Sequence, residues 1–196
     1  LTALGFTEHS FAHVTKCAET ASGLLRDLGY DDRQIELAKI AGFMHDIGNV
    51  VNRHDHALSG ATMAFRILDK MGMEPPDVAA VITAIGHHDD STAYPVNAIA
   101  AALILADKTD VRRSRVRNKD MSTFDIHDRV NYSVERSEVL LDLPGRTVTL
   151  SLSINTEVCA VMDYFEIFLQ RMLLSRKAAE TLDLKFRLEI NGQILL

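Results

Sequence analysis

"AGFMHDIGN", residues 41–49, sets an imidazole and a carboxylate side by side at the end of an apolar helical stretch. An ionised carboxylate among apolar neighbours is costly unless it is paired, hydrogen-bonded or bound to a cation, so His45 and Asp46 call for a partner elsewhere in the chain. Metal sites on helices are assembled from His and Asp residues that share an inward face. His13 lies on the apolar stripe of the first predicted helix, one turn before Cys17, with His9 one turn earlier on the same side. His56 opens the third helix in "HALSGA", His87 and His88 end the fourth in "AIGHHDD", and Asp107 ends the fifth in "LILADKTD". A lone histidine on an apolar face is more often a satisfied core residue than a ligand. So many of them at the ends of apolar segments, where a site at the mouth of a bundle would need them, is not explained by packing.

Outward from that stretch, apolar residues recur at helical spacing from residue 7 to about 115, as in Val14, Cys17, Ala18, Ala21, Leu24, Leu25 and Leu28. Gly29, Gly48, Gly72 with Pro75 and Pro76, and Pro95 punctuate the pattern into about five helices. After residue 130 the period becomes two, with Val148, Leu150, Leu152 and Ile154 alternating with Thr149, Ser151 and Ser153. "LPGR", 143–146, turns that strand back on one expected over 130–141. Residues 157–174 return to helical spacing, and Leu184, Phe186, Leu188 and Ile190 alternate again before the hairpin dipeptide Asn191-Gly192. The expected fold is α+β: a mainly helical bundle over residues 1–125, then a small antiparallel sheet with one covering helix over 126–196.

The chain has 196 residues, 47% hydrophobic and 24% charged, ordinary values for a globular protein. Its net charge of -6, from 21 basic and 27 acidic residues, argues against generic nucleic-acid binding through a basic surface. Cys17 and Cys159 both read as small hydrophobes on apolar helical faces, which suits a reducing cytoplasm. No run approaches the roughly 18 apolar residues of a membrane span and no signal-peptide layout opens the chain, so a cytoplasmic protein is expected.

In the order His13, His45-Asp46, Asp107, the chain resembles the HD superfamily of metal-dependent phosphohydrolases, named for that His-Asp pair. "HVTKCAETASGLLRDLG" is similar to the family's first helix, "AKIAGFMHDIGN" to its signature helix, and "ILADKTD" supplies the final Asp. The resemblance implies about five packed helices and a divalent metal held by His13, His45, Asp46 and Asp107. His56 and His88 fall where two-metal members, such as diadenosine tetraphosphate hydrolases and cyclic-di-GMP phosphodiesterases, carry further histidines. The implied site is binuclear and bridged by Asp46, with His87 as the alternative to His88. Iron, manganese, magnesium, nickel, cobalt and zinc are the candidate ions. His9 replaces a frequent family Glu, as a third-metal ligand, as a hydrogen-bond donor behind the ligands, or as a surface residue. The cyclic-di-GMP enzymes follow the signature with Lys where this chain has Asn49, and carry Gly-Tyr-Pro where it has Ala93-Tyr94-Pro95.

Such a site clamps phosphate oxygens and lowers the pKa of bound water towards about 7. The implied reaction is phosphoester hydrolysis, with His45 and Asp46 at its centre and a nucleotide or another small phosphorylated metabolite as substrate. "DKTDVRRSRVRNK", residues 107–119, follows the last ligand, and Lys108 and Arg112, one turn apart, are the candidate phosphate contacts. Arg113, Arg115, Arg117 and Lys119 suit a solvated helix end. Asp89 could orient His88, Asp110 pairs with a neighbouring Arg, and His54 and His127 are expected to be exposed. The apolar run Tyr164 to Phe168 reads first as core packing on the sheet and second as a contact with another subunit, and open strand edges leave a homodimer open. An HD-fold di-iron oxygenase and a non-catalytic nucleotide sensor are the alternatives.

Overall fold

The computed structural model describes residues 11–90, 93–116, 118 and 120–195. His9, Arg117 and Lys119 lie outside the described residues. α1 (Phe11–Asp27) buries His13, Val14, Cys17, Ala18, Ala21, Leu24 and Leu25, the stripe read from the sequence. It closes on Gly29, at φ 82°, with Tyr30 N–H on Leu25 C=O and Gly29 N–H on Arg26 C=O, both at 3.0 Å. That pair of bonds satisfies carbonyls the helix end would leave open. α2 (Asp32–Met44) starts on Asp31, whose carboxylate accepts the Gln34 N–H at 2.8 Å. α1 and α2 meet so closely at Gly42 that a Cβ there would stand 2.6 Å from Ala18 Cα. This approach brings the start of α1 and the end of α2 together.

α3 (His56–Lys70) and α4 (Pro75–Gly86) pack on each other, and α4 begins on two prolines. Pro is well placed in a first turn, where backbone N–H groups have no partner to lose. α5 (Ala98–Lys108), "AIAAALILADK", is buried along nearly its whole length, with α1, α2, α4 and α7 around it. A helix apolar on all sides belongs at the centre of a core, and this one delivers Asp107 and Lys108 to the open end of the bundle.

α6 (Ile126–Ser133) occupies residues expected to begin the first strand, and β1 (Val134–Asp142) follows it. Its Asp125 cap accepts the Asp128 N–H at 2.8 Å, an N-terminal signal hidden in a short polar stretch. β1 and β2 (Thr147–Ile154) form the expected hairpin. α7 (Val161–Thr181) then crosses over the sheet and buries Tyr164, Phe168 and Met172 before β3 (Lys185–Ile190). Asn191, at φ 51°, and Gly192, at φ 79°, turn the chain into β4 (Gln193–Ile194). The strand order is β1-β2-β3-β4. β2 and β3 run parallel, so the sheet is mixed where an all-antiparallel one was expected. A full-length crossover helix returns the chain to the edge it started from, which makes the next strand parallel. Cys159 is buried in the turn before α7 rather than on a helix. No described helix is long and apolar enough to cross a membrane.

Candidate metal centre

Four histidines and two aspartates from α1, the end of α2, the start of α3, the end of α4 and the end of α5 converge at one end of the bundle. His13, His45, Asp46, His56 and His88 are all buried, none more than 7% exposed. The rings touch edge to face in a chain, with centroids 5.2 Å apart for His13 and His45, 4.9 Å for His45 and His88, and 4.9 Å for His56 and His88. Gly48, just past the His-Asp pair, brings in His56: a Cβ on Gly48 would lie 2.0 Å from the His56 carbonyl oxygen.

Each ring turns Nδ1 outward to an oxygen. His45 Nδ1–H donates to Gly42 C=O at 2.8 Å, His88 to Ile85 C=O at 2.6 Å, and His56 to Arg53 C=O at 3.1 Å. His13 Nδ1 meets the Asp110 carboxylate at 2.8 Å. A carbonyl can only accept, so Nδ1 carries the proton in those three rings and Nε2 presents a lone pair inward.

Inside, Asp46 divides between two sets of donors. Its Oδ2 lies 3.6 Å from His13 Nε2 and 3.5 Å from His45 Nε2, and Asp107 Oδ1 lies 3.3 and 3.8 Å from the same two nitrogens. Its Oδ1 lies 3.5 Å from His56 Nε2, which is 3.1 Å from His88 Nε2. Donors about 2.0–2.2 Å from a shared cation stand roughly 3.0–3.6 Å apart, so both sets are close to ligand spacing. His45 Nε2 is buried without a hydrogen-bond partner among the described residues. A buried nitrogen lone pair left open this way fits a cation, and hard oxygen with imidazole nitrogen is a donor set for divalent metals. The His and Asp groups could therefore hold a metal ion, and Cys17 Sγ lies within 4.8 Å of the His13, His45 and Asp107 donors.

The electrostatics follow the same division. Burial lowers the pKa of His13, but its bonds to Asp107 and Asp110 outweigh that and raise it to about 11. Burial, with His45 nearby, pushes His88 down to about 3, and burial with the Arg53 charge lowers His56. Burial would raise Asp107, yet Lys108 and His13 hold it well below the usual carboxylate range. Asp110 is likewise held low against burial, by His13, Arg115 and Lys16.

A model of the HD domain matches residues 10–130. The chain belongs to the HD domain family. No curated protein and no solved structure matches it. Among the described residues the structure brings His13, His45, Asp46, His56, His88 and Asp107 together. The groups whose donor atoms all lie within 4.8 Å of one another are His13, Cys17, His45 and Asp107, and His45, Asp46 and His88, so His56 stands beside them, and His87 is half-buried at the end of α4 and in neither. Lys108 Nζ is held by Asp107 at 2.8 Å and by Asp90 at 2.9 Å, and Arg112 Nε by Asp110 at 2.9 Å. Both cations thus sit on carboxylates. Asp89 does not orient His88, whose ring is held by Ile85; it stands 3.9 Å from His56 Nδ1. His54, paired with Asp55 at 2.7 Å, and His127 are exposed as expected.

Sequence reasoning missed three participants. Asp110 was read as an Arg partner, yet it also orients His13 from 97 residues away. Asn49 donates from Nδ2 to Asp46 Oδ1 at 2.6 Å, and Arg53 donates from a guanidinium nitrogen to His56 Nε2 at 3.1 Å. The position of Asn49, one turn past Asp46, was the available signal.

Proposed function

We propose that this HD domain hydrolyses a phosphate ester of a nucleotide or other small phosphorylated metabolite with two divalent cations, held by His13, His45, Asp46 and Asp107 and by Asp46, His56 and His88. The observation that carries the reading is the division of Asp46, one oxygen towards His13 and His45 and the other towards His56. Bound there, the cations would polarise phosphate oxygens and acidify a water molecule. The chain's own groups prepare that chemistry. Gly42, Arg53 and Ile85 carbonyls lock three imidazoles as Nδ1–H tautomers, which keeps each Nε2 available as a ligand. Asn49 holds Asp46, and Lys108 keeps Asp107 ionised and in place. In this reading Lys108 and Arg112, expected from the sequence as phosphate contacts, act by fixing Asp107 and Asp110.

The test joins metal content to turnover. Protein purified without chelator or added metal should carry close to two ions per chain by elemental analysis, falling towards one in His56→Ala and His88→Ala. Hydrolysis of a generic phosphodiester or phosphomonoester should vanish in His45→Ala and Asp46→Ala. At most one ion, unchanged by the His56 and His88 substitutions, would sink the binuclear centre. Oxygen consumption by the iron-loaded protein without phosphate release would replace hydrolysis with oxygenase chemistry, and tight nucleotide binding without any turnover would make the domain a sensor.

A further inference from the structure

The stretch 51–55, between the 3-10 turn Ile47–Val50 and α3, is exposed except at Arg53. The Arg53 side chain is only 25% exposed and reaches inward. One of its terminal nitrogens stands 3.1 Å from His56 Nε2, 3.4 Å from Asn49 Oδ1 and 3.7 Å from Asp46 Oδ1. Asp46 Oδ1 and His56 Nε2 are two of the three donors assigned above to the second ion. A guanidinium has no lone pair to give a metal, and its charge repels one. Arg53 and the second ion therefore compete for the same atoms.

The charge balance explains why a monovalent group suffices there. His56 and His88 enter as neutral donors, and among the described residues Asp46 Oδ1 is the carboxylate oxygen assigned to the second set, while Asp107 belongs to the first. The partial exposure of Arg53 leaves it a way towards solvent, and its planar fork suits phosphate oxygens, which arrive from solvent with the substrate.

We propose that Arg53 is an exchangeable cation of this site: it fills the second-ion position when that position is vacant, and on ion binding it turns outward to hold the substrate's phosphate. The inference rests on the two-ion reading above. It makes second-ion affinity depend on a residue that is no ligand, and it leaves the first set of donors untouched.

Mn²⁺ titration of metal-free wild type, Arg53→Gln and Arg53→Lys by calorimetry, followed by inorganic phosphate titration of each loaded protein, tests this. In Arg53→Gln the first Kd should stay within about twofold and the second should tighten by about tenfold or more, because a positive charge next to the ion is gone. Phosphate binding should weaken by about tenfold in the same variant. Arg53→Lys should keep a second-ion Kd near that of wild type while phosphate binding weakens, separating charge from the fork. A thermal melt checks each fold, and Arg53→Met carries the Gln expectations should the Gln variant not fold. Two ions with equal second Kd in wild type and Arg53→Gln, or a weaker second Kd in the variant, overturns the inference and leaves the two-ion reading standing. One ion in both proteins overturns the two-ion reading and the inference with it. One ion in wild type and two in Arg53→Gln supports the inference in its strongest form.

Discussion

Replacing Gly48 by alanine probes how the two halves of the centre are joined. Gly48 is buried in the turn directly after Asp46, and its φ is not in the left-handed region, so any cost comes from contact rather than backbone strain. The added Cβ would meet His56 O at 2.0 Å, Gly60 N at 2.6 Å and Ser59 Oγ at 2.6 Å. Carbon and a carbonyl oxygen ordinarily stand about 3.3 Å or more apart, so the turn and the start of α3 must separate by roughly 1 Å. The first two of those atoms are backbone, and α3 is anchored in the core by Ala57, Ala64 and Leu68, so the strain falls on the approach of His56 to Asp46. Overpacking of this kind costs about 1–3 kcal/mol. At about 2–4 °C per kcal/mol for a chain of this size, the melting temperature should fall by roughly 2–12 °C. On the two-ion reading proposed above, Asp46 Oδ1 and His56 Nε2, 3.5 Å apart, should lose the second ion before the first set loses its own. Gly23→Ala is the control: its Cβ meets nothing within 4 Å and the site is helical, so it should melt with wild type or slightly above. Differential scanning calorimetry beside elemental analysis reads both effects. Wild-type melting and metal content in Gly48→Ala would refute the reasoning.

Asp110→Asn removes the carboxylate that orients His13 and leaves Lys16, Arg112 and Arg115 around a neutral buried amide. It should cost about 3–5 kcal/mol in urea unfolding, as for a broken buried ion pair, and weaken first-ion binding about 10–100-fold; a change in neither would return Asp110 to a surface-type pair. Lys108→Met should move acid release of the first ion to higher pH. Asp107 is depressed in the folded state, so its contribution is present above its ordinary value of 3.8 and lost as pH falls through the lower folded value, which Lys108 helps set. Free Mn²⁺ measured by electron paramagnetic resonance against pH would show the shift, and an unchanged midpoint would mean that Lys108 does not hold that carboxylate. Cys17 and Cys159 are buried and both thiols are pushed up by burial, so both should resist Ellman's reagent in the native protein and react after unfolding.

The helices could be read from sequence because their stripes are local and their ends are chemically marked, by Gly29 and Gly72 at positive φ and by Pro75 and Pro76. Strand pairing was legible only where a turn fixes it. The β1–β2 hairpin follows from a four-residue turn, whereas the parallel β2–β3 pair depends on the path of α7 over the sheet, which alternation within a strand does not encode. Short, polar α6 had too few apolar residues to show a period.

At the centre, the residue types announced themselves and their supports did not, because the supports are backbone carbonyls or groups distant in sequence. Even so, one local rule connects them. His45, His56 and His88 each donate from Nδ1 to the carbonyl three residues before them. For His45 and His88 that carbonyl belongs to the last turn of α2 or α4, where carbonyls no longer have a full set of intrahelical N–H partners, although Ile85 C=O also accepts the His88 backbone N–H at 3.5 Å. A histidine just past an apolar helix thus finds an acceptor that fixes its tautomer and aims Nε2 along the bundle's open end. His56 reaches the same arrangement through the turn before α3, which Gly48 holds against Asp46. The spacing that places these histidines at the ends of apolar segments is therefore also what leaves each inner nitrogen a lone pair, so the neighbouring carbonyls set the tautomer of the candidate ligands.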